Sequence, residues 1–300
     1  MTSVPPPSEH SGSLSSHPEV PDGIVLPEPA PPALLPRLGV PLWAPFAVVF
    51  ASFVVVLIVQ ILVATGVEIG GGDAVDVSST DAATIGFTVV LDVSLVVCTI
   101  AIVWWLGAGR PTPASFGLRK PEWASAIGWM LATYASFWVV AIIAGLIFGE
   151  PEEQDIVVDL KAEDSVLVLA AFGVMTCVLA PLAEEFFFRG FLLRVLTERT
   201  NLWVGIVVSG ALFGMVHLPS GDWIGVIVLS AFGIALAGLF LLTSSLVPCI
   251  MLHALHNSIS FGFTKELPWW GFLLLTVGSV TTTLVISLLV ARAGRRAAPV

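Results

Sequence analysis

The chain has 300 residues, of which 56% are hydrophobic and only 11% charged, at a mean hydropathy of +0.97. Soluble domains carry about 25% charged residues, so this composition excludes an ordinary soluble globule and indicates a bilayer-embedded chain. The formal net charge of −10 comes with no basic stripe, which excludes a nucleic-acid partner.

Residues 1–38 are rich in Pro, Ser and Glu and have no apolar periodicity, so they are expected to form a disordered tail. This stretch lacks the basic segment followed by an apolar run that a signal peptide needs. Apolar runs then predict helical spans over 41–65, 84–107, 124–148, 166–196, 202–217, 223–243, 246–263 and 269–291. A span needs about 20 mostly apolar residues. The region 202–263 reads as three short helices, because its breaks, at 217–222 and 243–245, are brief. The expected fold is therefore an all-α polytopic transmembrane helix bundle of about eight spans, residues 39–291, followed by a short basic tail, 292–300. Cys98, Cys177 and Cys249 all fall inside apolar runs without CxxC spacing and read as small core residues.

Lys and Arg in short loops set orientation. Arg110, Arg119 and Lys120 follow the second run, Arg194 and Arg199 end the fourth, and Arg292, Arg295 and Arg296 follow the last. The intervening loops are acidic, with Glu68, Asp73, Asp76 and Asp81 in one and Glu150, Glu152, Glu153 and Asp155 in the next. This alternation predicts an even span count and both termini in the cytoplasm; the expected location is the plasma (inner) membrane. Trp104, Trp105, Trp123, Trp269 and Trp270 sit at span ends, as interfacial aromatics do.

Charges within a span cost about 2.5–3.5 kcal/mol each on insertion scales, so ionisable residues there are candidates for function. In the fourth run, Glu185 and Arg189 are spaced i, i+4 in the order that favours pairing. Glu184 is turned about 100° from Glu185 and is left to face another partner. The bland alternative for Glu185 and Arg189 is an ion pair that fixes helix packing. Phe213 and His217 close the fifth run; alone, a His at a helix end is more often a hydrogen-bonded interface residue than a catalyst. In the seventh run His253 and Asn257 are i, i+4 and share a face, with His256 displaced from it. Together these side chains supply a carboxylate base, a His to assist it and a His/Asn pair able to donate to an oxyanion. The same parts could instead hold a divalent cation such as zinc through Glu184, His217 and His253. Asp92, in the second run, lies outside this set and best supports a proton-coupled transporter, although a hydrogen-bonded structural Asp is the preferred reading.

The Glu-Glu-x-x-x-Arg run (Glu184, Glu185, Arg189), the Phe-x-x-x-His run (Phe213, His217) and the His-x-x-x-Asn run (His253, Asn257) resemble the three ordered motifs of the CPBP family, which includes the type 2 CAAX prenyl proteases and bacterial relatives linked to bacteriocin processing or self-immunity. The resemblance covers roughly residues 110–265. It implies an intramembrane endopeptidase acting on a membrane-associated or lipidated protein or peptide. Glu184 and His217 would activate water, His253 and Asn257 would form the oxyanion site, Glu185 and Arg189 would hold the helix, and Phe213 would pack beside the site. No cofactor is required on this reading. A catalytically idle member, serving immunity or as a scaffold, is the alternative. Other intramembrane hydrolases fit less well: there is no His-Glu-x-x-His run, and Val207 stands where a Gly-x-Ser-Gly motif needs its first glycine.

Overall fold

The computed structural model describes residues 35–69, 81–107 and 109–297, all within the compact unit 34–300. Most of the expected tail, residues 1–34, and the acidic residues Asp73 and Asp76 lie outside the described residues. Regular structure among the described residues is entirely helical. The helices are α1 (Ala44–Ile69), α2 (Asp81–Leu106), α3 (Trp123–Phe148), a short α4 (Asp155–Ala162) that the apolar pattern did not predict, and α5 (Val166–Arg199). They continue with α6 (Leu202–Met215), α7 (Trp223–Thr243), α8 (Leu246–Thr264) and α9 (Trp269–Ala297).

Seven of these are long and apolar enough to cross a membrane; α6, with 14 residues, is the shorter exception. At about 1.5 Å per residue it rises only about 21 Å, against a hydrocarbon core of about 30 Å. Where about eight spans were expected, the described residues therefore hold seven of spanning length plus the shorter α6, which packs antiparallel against α7. Glycines permit that approach. A Cβ on Gly214 would fall 2.2 Å from Ser230 Oγ, and one on Gly233 would fall 2.8 Å from the Gly210 carbonyl oxygen.

One end of the bundle gathers most of the arginines. Arg194 donates to the Ser115 and Pro36 carbonyls, Glu198 Oε1 accepts from the Leu38 N–H at 3.0 Å, and Arg199 Nε donates to Val40 O at 2.8 Å. Gly294 of α9 packs against Pro113 at the same end. The first and last described segments therefore lie at the same end of the bundle. These contacts also correct the tail boundary: Leu38 is buried, so the ordered domain starts before residue 39. Lipid-facing residues stay apolar, with Trp104, Trp105 and Trp269 largely exposed at helix ends. The start of α3 is capped by Glu122. Hydrogen bonds from the Ser125 hydroxyl and from the Ser125 and Ala124 N–H groups hold its carboxyl below the ordinary carboxylate range.

The interior is built on α5 and α8, packed with Phe186, Phe187, Phe188, Phe191, Phe213 and Phe232. Helix α5 is not a regular α-helix. It contains two π segments, Met175–Leu179 and Phe188–Leu192, on either side of the paired carboxylates. Pro181 accounts for the first. It has no N–H and would clash with the carbonyl four residues back, and widening the turn relieves both problems. The Ala180 N–H accordingly donates to Met175 O rather than to Thr176 O.

Candidate active site

The carboxylates lie between the two π segments, on the most enclosed stretch of α5. Glu185 is fully buried, and its Oε1 accepts from Arg189 Nη1 at 2.6 Å and from His253 Nδ1 at 2.9 Å. Arg189, also fully buried, donates through Nη2 to Gly233 O at 3.0 Å and lies 4.5 Å over the Phe213 ring. The close approach of α7 at Gly233 is what brings that carbonyl within reach. The i, i+4 pair that the spacing predicts is thus present, and it carries a third member, His253, from α8.

Glu184 has a different environment. Its side chain is 20% exposed, and its Oε2 lies 4.0 Å from His253 Nε2 with no hydrogen-bond partner. One imidazole therefore spans both carboxylates, tied to Glu185 and facing Glu184. In the neutral imidazole, a carboxylate accepting at Nδ1 places the ring proton there and leaves a lone pair on Nε2.

The depth of these residues differs from simple counting along the predicted spans, which puts Glu184 deeper than His253. Helix α5 ends at Arg199, not 196, and its last turns run past the start of α8. A Cβ on Gly190 would lie 3.1 Å from Leu246 Cδ1, so α8 begins level with Gly190 rather than with Arg199. From that level Glu185 is five residues back and His253 seven residues on, which brings them together.

Asn257, one turn beyond His253, donates Nδ2 to Thr176 O at 2.8 Å. This is the carbonyl that the π segment and Pro181 leave without a helical donor. One amide proton of Asn257 is thereby committed to holding α5, and the second remains available. His217 follows α6, with its Nδ1 2.8 Å from Phe213 O and its ring 5.3 Å from the Phe213 ring. Phe213 also meets His253 edge-on at 5.6 Å. Glu184, Glu185, Arg189, Phe213 and His253 are thus brought together where α5, α6 and α8 meet, with Asn257 one turn further along α8 and His217 beside Phe213 just past the end of α6. His256 is turned away. Its ring packs against Tyr134, Phe137 and Trp138 of α3 and Phe232 of α7.

Among the described residues no group of three His, Cys, Asp or Glu side chains is disposed to hold a metal ion. Asp92 is buried, and its Oδ2 has no hydrogen-bond partner. Sequence reading missed Thr176 and Gly233, whose backbone carbonyls hold Asn257 and Arg189; Pro181 inside an apolar helix was the available signal for the first.

No curated protein and no solved structure matches the chain. A family model described as type II CAAX prenyl endopeptidase, Rce1-like, matches residues 166–259. That segment contains every carboxylate, His and Asn of the site just described, so the similarity to the Rce1-like type II CAAX prenyl endopeptidase domain falls on the site itself.

Proposed function

We propose that this protein is an intramembrane endopeptidase in which Glu184 activates the water that hydrolyses a peptide bond of a membrane-associated protein or peptide. The observation that carries this reading is the position of His253, anchored through Nδ1 to Glu185 with Nε2 4.0 Å from Glu184 Oε2. Two acceptors at that separation suit a single water that donates one hydrogen to each. As its oxygen attacks the carbonyl carbon, Glu184 takes a proton, and it returns that proton to the leaving amine when the C–N bond breaks. The second amide N–H of Asn257 stabilises the oxyanion, and His217 assists from the end of α6. Glu185 and Arg189 act on the chemistry only through His253 and the helix. No step is routed through a metal. The basic end of the bundle faces the cytoplasm of the plasma membrane, with both chain ends on that side.

The test is comparative proteomics of membranes carrying the wild type or Glu184→Gln. A processed peptide found only with the wild type is expected and would identify the substrate. Identical peptide sets would overturn the enzyme reading in favour of an idle, immunity-type member or a transporter.

A further inference from the structure

Asp92, on α2, is a buried carboxyl beside the site that the proposed mechanism does not use. It is 5% exposed, its Oδ2 lacks a hydrogen-bond partner, and it lies near enough to Glu184 for the two groups to interact electrostatically. It also lines a cavity of about 400 Å³ between α2, α5 and α9. On the α5 side the wall is Leu179, Leu182, Ala183 and Phe186, which recur at helical spacing on the face adjoining Glu184. Asp92 is the only ionisable side chain among the described residues that line this cavity.

The shape of the cavity indicates how it is reached. At the basic end it is roofed by the 111–118 loop. Phe116 packs on Phe186 with ring centroids 4.5 Å apart, and Pro113 sits against Gly294 of α9. Its flank is made by Val97 of α2 and Val290 of α9, both exposed on the lipid-facing surface. The open side therefore faces the bilayer.

An alkyl chain would be served best by a wholly apolar wall, and an unpartnered carboxyl in such a wall carries a desolvation cost that the chain cannot offset. A peptide differs, because it brings apolar side chains together with backbone N–H groups that must find acceptors where water is scarce. From this we infer that the cavity is a lateral binding site for an extended apolar peptide segment, and that Asp92 accepts one of its backbone N–H groups and so sets the neighbouring peptide bond against Glu184. The peptide nature of the occupant rests on the endopeptidase reading above; the site itself rests on the cavity and Asp92.

The experiment measures binding, so it does not depend on turnover. Full-length Glu184→Gln protein in lipid nanodiscs is titrated with a short dansyl-labelled Leu/Ala peptide and with analogues N-methylated at one amide each. The unmodified peptide is expected to bind. Adding Asp92→Leu should weaken binding about tenfold or more, whereas Asp92→Asn, which keeps a carbonyl acceptor, should retain most of it. One N-methyl position should cost a similar factor with Asp92 present and nothing with Leu there. Val97→Trp, which narrows only the rim, should also weaken binding and guards against misfolding of the Asp92 variants. Equal affinity with Asp92 and Leu, absence of binding, or indifference to Val97→Trp would each overturn the inference. A dansyl-labelled acyl chain that binds in place of the peptide, without regard to Asp92, would do so as well. Asp92-dependent binding without cleavage by the wild type would instead defeat the endopeptidase reading and leave the site standing.

Discussion

Replacing Arg189 by Met tests whether the buried charge cluster works as one unit. The substitution removes the 2.6 Å bond to Glu185 Oε1, the 3.0 Å bond to Gly233 O and the cation resting over Phe213. The Glu185 carboxylate stays, fully buried, with His253 as its remaining side-chain donor. Breaking a buried pair by removing one partner costs about 3–5 kcal/mol, most of it from the charge left behind. Adding Glu185→Gln removes that charge, while the Gln carbonyl still accepts from His253 Nδ1. The double variant then lacks chiefly a donor for Gly233 O, a loss of about 1–3 kcal/mol. The single variant should therefore be less stable than the double by about 2 kcal/mol, roughly a 30-fold difference in equilibrium constant. Denaturant titration of purified protein in mild detergent, with inactivation half-lives where unfolding is irreversible, measures this. Equal stability of single and double, or a single variant within about 1 kcal/mol of wild type, would refute the argument, because no charge would have been stranded.

Three further outcomes follow from the same geometry. Glu184→Gln, His217→Ala, His253→Ala and Asn257→Ala should each abolish cleavage in an assay on the identified substrate, with loss of an oxyanion donor costing about 10²–10³-fold; His256→Phe, which refills the aromatic surround on α3 and α7, should remain active, and an inactive His256→Phe that is folded would disprove the face assignment. Pro181→Ala restores an N–H to α5 and should allow the first π segment to relax, so it should keep or raise thermal stability while lowering turnover; unchanged turnover would show that the π register does not position Glu184. Deletion of residues 2–34 should leave the domain folded, whereas extending the deletion to residue 40 removes the partners of Arg194, Glu198 and Arg199 and should lower the melting temperature; equal stability of the two truncations would contradict the role of that strap.

Much of this protein is determined by short-range pattern. Apolar runs near bilayer length have one solution that satisfies their backbone groups in lipid, which is why the helices were readable from residue type alone. The Glu185–Arg189 pair was equally legible, since helical periodicity places i and i+4 side by side whatever surrounds them. Tertiary structure decided what periodicity does not contain. Span counting set His253 too shallow, because it cannot know that α5 runs on past the start of α8, where Leu246 meets Gly190. His253 and Asn257 share a helical face, yet one meets carboxylates and the other a backbone carbonyl freed by a π segment. Asp92 read as a hydrogen-bonded structural residue, but only the arrangement of α2, α5 and α9 shows it lining an apolar cavity beside Glu184. The physical reason is the same in each case: a sequence specifies which side chains an element presents, whereas the partners they meet depend on the relative depth and separation of helices, and those are set by packing between residues far apart in the chain.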